Sequence, residues 1–154
     1  MKYVKSKTVS PLLQQVLLTI WNEEYPAVLK HYLNTLEEYL NKLKDLEHTF
    51  VMNEFGTVVG WYFDFERNNE RQFAILISSD YHNKGIGNQL LSTAKQKHSE
   101  LYGWVVDSNE YLKKNGENYK SPVSFYQNSG FNLTNKRWDS EKIKTIKIVW
   151  KKEF

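Results

Sequence analysis

Cysteine is absent from the chain. That removes disulfides, thiolate zinc sites and thiol nucleophiles together, and it suits a reducing compartment. Proline is scarce, with three residues. Pro11, Pro26 and Pro122 each read as the start of a helix, where the missing N–H costs nothing, and none belongs to a Pro-rich linker. No internal repeat or low-complexity stretch divides the chain, so one domain over residues 1–154 is expected. Long apolar runs are also missing. Nothing approaches the roughly 20 residues that a membrane-spanning helix needs, which argues against a membrane partner. The opening segment Met1 to Lys7 is basic but lacks an apolar core, so it does not read as a signal peptide, and a cytoplasmic location is expected. The net charge is only +3, too mild to argue for nucleic acid, though compatible with a small anionic ligand.

Forty per cent of the residues are hydrophobic and 15% aromatic, enough apolar surface to offset chain entropy in a folded domain. Tyr3-Val4 suggests a short first strand. Ser10-Pro11 reads as an N-cap followed by proline at the first helical position. Leu13, Val16, Leu17 and Ile20 then recur at helical spacing to about Glu24. Pro26 is expected to open a second helix, with Leu29, Leu33, Leu36, Leu40 and Leu43 as its core-facing stripe. The period changes at His48–Met52, a strand, followed by a turn at Glu54–Thr57 and an aromatic strand over Val58–Phe65. Phe73–Ser78 is a continuous apolar run, as in a strand covered on both faces. A helix follows from Gly85, a strand over Leu101–Val106, and a polar loop over residues 108–120. A short helix from Ser121-Pro122 and two closing strands complete the chain. The order β-α-α-β-β-β-α-β-α-β-β predicts an α+β fold, one mixed central sheet flanked by helices.

Two segments carry chemistry. In Ile75–Leu91 a buried strand leads through a short polar turn to a helix starting at Gly85 and Gly87. The first N–H groups of a helix lack internal partners and carry partial positive charge, so this geometry suits a diphosphate, with Lys84 adding charge. Taken alone, a strand–GxG–helix equally describes an ordinary tight turn. The segment lacks the third glycine of the dinucleotide fingerprint and the Gly-Lys-Ser/Thr of a P-loop. The second segment is Ser121–Phe131, where Phe125-Tyr126 precedes Asn128-Ser129-Gly130-Phe131. Its two aromatics alone would be read as core. The four histidines, His31, His48, His82 and His98, show no metal-ligand spacing, and no metal is expected.

Together, His82-Asn83-Lys84-Gly85-Ile86-Gly87 and Phe125–Phe131 resemble the two signature segments of the GNAT N-acetyltransferase family. The resemblance implies a GNAT-like fold and acetyl-CoA as co-substrate. The acetyl group would pass to a small-molecule or peptide amine by direct attack, with a homodimer allowed for. It implies that His82, Asn83, Lys84, Gly85, Ile86, Gly87 and Asn88 hold the diphosphate, and that backbone groups of Ile75 and Ile77 pair with the pantetheine arm. Tyr126 would face the departing sulfur. His82 stands where the family has Arg or Gln, and Tyr119 stands where it often has asparagine, with Asn118 or Ser121 as substitutes. Those departures motivate the alternative of a non-catalytic module that binds coenzyme A or a partner. For the general base, Asp107 at the end of its strand is the first expectation, with Glu110, Asp64 and Glu66 as rivals.

Overall fold

Ser10 opens the first helix as its sequence demands: its Oγ accepts the Leu13 N–H at 3.2 Å, and Pro11 occupies the first turn. A computed structural model describes residues 1–153. It contains strand β1 (Lys2–Ser6), helices α1 (Pro11–Glu24) and α2 (Leu33–Asn41), and strands β2 (Lys44–Met52), β3 (Val58–Arg67) and β4 (Glu70–Ile77). Helix α3 (Ile86–Lys97), strand β5 (Glu100–Val106), helix α4 (Val123–Asn128) and strands β6 (Asn132–Asp139) and β7 (Lys144–Lys151) follow. This is the predicted order.

The leucine stripe departs from expectation. Instead of one helix from Pro26, a single 3-10 turn over Ala27–Leu29 is followed by extended backbone before α2 begins. Side chains of α1 explain the break. The Trp21 indole N–H donates to the Leu29 carbonyl at 2.9 Å, and Asn22 pairs with both backbone groups of His31, each at 2.9 Å. A continuous helix would have required those groups for itself. Thr35 Oγ1 then accepts the Tyr32 N–H at 2.8 Å and caps the restart. Only Leu36 and Leu40 of the stripe are buried, and Leu33 is exposed.

All seven strands form one sheet in the order β1-β2-β3-β4-β5-β7-β6. One face packs on α3 and α4 around Leu90, Leu91, Phe73 and Phe131. The other packs on α1 and α2 around Leu17, Leu36, Trp61 and Phe63. β3 is the strand buried most continuously on both faces. Removing Trp61 and Phe63 from water contributes roughly 1.5–3 kcal/mol each before chain entropy is counted. No helix among the described residues is long and apolar enough to cross a membrane.

The central feature for function is where the sheet comes apart. β3 and β4 pair along eight residues, and β5 and β7 along seven, both antiparallel. The parallel contact between β4 and β5 is confined to Gln72 opposite Tyr102. Each inner strand follows its antiparallel neighbour, so β4 and β5 diverge toward their C-terminal ends. The gap-facing backbone groups of β4 beyond Gln72 have no strand to pair with.

Candidate active site

The gap opens on the α3/α4 face into a cavity of about 720 Å³. One wall is the end of β4 and the start of α3. Gly85 caps that helix with φ of +79° and ψ of 6°, a left-handed conformation that glycine adopts without steric cost. No side chain caps the helix there, so its first N–H groups are left for solvent or a ligand. Gly87 serves a different purpose: a Cβ on it would lie 2.8 Å from Cζ of Phe125. The second glycine lets the two signature segments pack against each other. The opposite wall is a segment of the polar stretch 108–120. It folds as a small hairpin, with Leu112 bridged to Asn118, Lys113 N–H donating to Glu117 O at 2.8 Å, and Tyr119 N–H donating to Tyr111 O at 2.8 Å.

A second cavity of about 390 Å³ lies between α1 and the β5–β7–β6 half of the sheet. Tyr25, Ile75, Tyr119, Pro122 and Tyr126 line both cavities, so the two spaces meet in the gap between β4 and β5. Tyr126 is buried there. Its ring packs edge-on against Phe125, Phe73 and Phe131 at 5.1, 5.7 and 5.5 Å. Among the described residues its hydroxyl has no hydrogen-bond partner, which leaves it free for a ligand. Burial pushes the Tyr126 phenol well above its ordinary value, and neighbouring Tyr119 adds to the shift. Burial likewise raises Tyr119, to about 12, with Glu24 contributing, and raises Tyr25 well above normal. The three phenols stay protonated at neutral pH and can donate hydrogen bonds.

The other expected residues are distributed as follows. Ile75, Ile77, Asn83, Ile86 and Asn88 line the larger cavity with the glycines, whereas Lys84 is exposed and lies off its wall. His82 faces it too, but Nε2 hydrogen-bonds the Ile77 carbonyl at 2.6 Å and lies 3.6 Å from Glu24 Oε1. Its ring therefore ties the turn to the end of β4. Asn88 Oδ1 accepts the Ser129 hydroxyl at 3.2 Å, joining α3 to the end of α4. Ser121 donates to the Val106 carbonyl at 2.6 Å and accepts the Val123 N–H at 3.3 Å, so it couples β5 to α4.

The carboxylates require a correction. Asp107 lines neither cavity and is gripped by Arg137 through bonds of 2.7 and 3.2 Å. That bonding holds its carboxyl below the usual carboxylate range, a poor setting for a base. Glu110 is exposed, and Glu66 pairs with Lys44 at 3.6 Å. Asp64 is buried and bonded to Tyr62, Arg71 and His98, away from both cavities. Two carboxylates do line the larger cavity: Glu117, exposed on the hairpin, and Glu24, with a side chain only 9% exposed. The second is the anchored one. It accepts the Ser79 N–H at 3.1 Å and hydroxyl at 3.0 Å, and it lies 3.4 Å from Lys113 Nζ. Sequence reasoning missed Glu24 and Tyr25. At the end of an amphipathic helix they look like any solvated last turn, and no local signal distinguishes them.

A mixed sheet that parts between two parallel strands, with an uncapped glycine-led helix at its mouth, offers an anionic ligand a cleft between strand ends and a helix N-terminus. Residues 45–133 match the family described as "Acetyltransferase (GNAT) domain", and the chain belongs to that family. No curated protein matches the chain. Solved structures resemble it over nearly its whole length. An aminoglycoside 6'-N-acetyltransferase complexed with coenzyme A superposes with a TM-score of 0.71 at 12% identity, covering 98% of this chain and 97% of that one. A phosphinothricin acetyltransferase from Sinorhizobium meliloti in complex with acetyl-CoA gives 0.66 at 15% identity, covering 98% and 89%. A spermidine N-acetyltransferase mutant from Vibrio cholerae gives 0.67 at 15%, covering 98% and 95%. At these identities the likeness concerns the fold.

Proposed function

We propose that this protein is a cytoplasmic acyltransferase that moves an acetyl group from acetyl-CoA to a primary amine, with residues 1–154 acting as one domain. The observation that carries this reading is the meeting of two cavities at Tyr126, through the gap between β4 and β5. The larger would take acetyl-CoA and the smaller the amine. Bound acetyl-CoA would supply the acetyl thioester, and this chain's residues do the rest. The free N–H groups at the start of α3 receive the diphosphate. Gap-facing backbone groups of Ile75 and the end of β4 orient the arm that leads to Tyr126. The amine nitrogen bonds to the acetyl carbon as the carbon–sulfur bond breaks, and the amine proton leaves to water. Tyr126 Oη donates its hydrogen to the departing sulfur, and solvent restores it. Holding both reactants at one junction supplies much of the acceleration.

A ligand bound only by the folded state stabilises it by about 2.7 kcal/mol at a hundredfold excess over Kd. Acetyl-CoA should therefore raise Tm by several degrees, and an amine panel should release free thiol. No shift at millimolar acetyl-CoA would overturn the reading. A shift without thiol release from any amine would leave a coenzyme A-binding module.

A further inference from the structure

The smaller cavity is uncharged. None of the residues that line it is Asp, Glu, Lys, Arg or His. Its walls are largely aromatic, with Trp21, Trp104 and Trp138 joining the tyrosines and Phe73. Trp104 and Trp138 meet edge-to-face, 5.9 Å between ring centres. Its non-phenolic hydroxyls are already engaged: Ser140 Oγ accepts the Ile143 N–H at 3.1 Å, and Thr145 donates to the Trp138 carbonyl at 2.7 Å.

Three carboxylates adjoining the cavity are engaged elsewhere. Glu24, beside Tyr25, turns to Ser79 and Lys113 in the other cavity. Asp107, beside Val106, and Asp139, beside Trp138, both bind Arg137, at 2.7 and 3.0 Å. Glu141, beside Ser140, is exposed and stands outside the lining, so no carboxylate lies within the cavity for a second ammonium. Arg137 is itself matched by two carboxylates, and Lys30, Lys120, Lys142 and Lys144, each next in sequence to a lining residue, are exposed and stand outside the lining. A second charge of either sign held within the lining would be desolvated without a partner. A single amine fares differently: an apolar enclosure favours its neutral form, which is the form that attacks. A volume of about 390 Å³ suits one small molecule.

We infer that the acceptor is an arylalkylamine, a primary monoamine whose remaining body is aromatic and uncharged; this rests on the acetyl-transfer reading above. Polyamines, aminoglycosides and free amino acids fit poorly, because the lining offers no partner for their additional charges.

The test separates the two levels. Acetyl-CoA binding is measured first by thermal shift, and its absence overturns both the transfer reading and this inference. With binding established, thiol release is compared for 2-phenylethylamine and tryptamine against spermidine, kanamycin, phenylalanine and tryptophan. The expected kcat/KM is at least about tenfold higher for the two arylalkylamines. A preference for any charged acceptor, or acetyl-CoA binding with no arylalkylamine turnover, overturns the acceptor class while leaving cofactor binding intact. Trp138 is 58% exposed at the rim, so its replacement should not disturb folding. Trp138→Glu should raise the tryptamine KM about tenfold and narrow the margin over spermidine, with acetyl-CoA affinity kept, and Trp138→Phe should raise that KM less. An unchanged KM in folded Trp138→Glu protein would show that the aromatic cavity does not seat the amine.

Discussion

Gly85 and Gly87 lie two residues apart in one motif and are glycine for different reasons. At position 85 nothing lies within 4 Å of a built Cβ, but φ is +79°. Alanine there meets a backbone penalty of about 1–2 kcal/mol, which asparagine should partly escape. At position 87 the obstacle is the Phe125 ring, 2.8 Å away. Gly87→Ala should cost roughly 1–3 kcal/mol through overpacking, and a second change, Phe125→Leu, should recover part of that loss. Urea melts of the two single mutants and the double mutant check this, and simple additivity would show that the two side chains do not meet. Tyr126 offers a chemical test at the same scale. Phenylalanine keeps its ring among Phe73, Phe125 and Phe131 and removes only the unpartnered hydroxyl. Single-turnover acetylation should slow at least about tenfold, with the acetyl-CoA Kd nearly unchanged. Unaltered turnover would make Tyr126 a packing residue, and an equal fall in affinity would make it a cofactor contact.

Among the elements, the hairpin at 111–119 is held to the rest of the fold by specific bonds. Ala27 N–H donates to Leu112 O at 2.8 Å, and Tyr111 Oη accepts the Lys144 N–H at 2.8 Å. Lys113 adds an ammonium between Glu24 and the Ser79 hydroxyl, 3.4 and 3.3 Å away. The three residues come from α1, the turn after β4 and the hairpin, so they close one side of the larger cavity. Both ionic side chains are mostly buried, at 9% and 13% exposure. Lys113→Met should therefore cost roughly 1–3 kcal/mol, the worth of a charged hydrogen bond, and should weaken acetyl-CoA binding. A double-mutant cycle with Glu24→Gln measures the coupling directly. Zero coupling would mean that backbone bonds alone seat the hairpin.

In the molecule as a whole, the histidine with the deepest pKa depression lies outside both cavities. His48 is buried on the α1/α2 face, where Nδ1 accepts the Trp61 indole N–H at 3.0 Å. Burial lowers its pKa to about 4, against a small opposing pull from Asp64. In the unfolded chain it returns to about 6.5. Between those values the unfolded state binds more protons, so stability is full above about pH 6.5 and falls as pH drops toward 4. The slope is at most about 1.4 kcal/mol per pH unit. His48→Phe should flatten this segment of the stability–pH curve, while lowering stability at pH 7 because Trp61 loses its acceptor. Parallel slopes for parent and variant between pH 6.5 and 4.5 would show that His48 is not the group responsible.

The order of elements, the Ser10 cap, the aromatic strand over Val58–Phe65 and the helix led by Gly85 were legible in the sequence, though the strand buried on both faces was expected at Phe73–Ser78 and is β3 instead. Each rests on contacts within a few residues: an N-cap bond, a left-handed φ, or a side-chain period of two or 3.6. The α2 break was not legible. Asn22 and Trp21 take up backbone groups nine and eight positions away, and no leucine spacing records that competition. The same limit applies at the site. Tyr126 could be named from its motif, but its union with Tyr25 and Tyr119 joins three separate segments. Asp107 looked as available as any other strand-end carboxylate until the fold set Arg137 against it from 30 residues away. Above all, the opening between β4 and β5 belongs to neither strand's sequence. It arises because each strand is bound to a different antiparallel partner, so the two cavities, their junction and the missing charges of the smaller one exist only once both halves of the sheet are assembled.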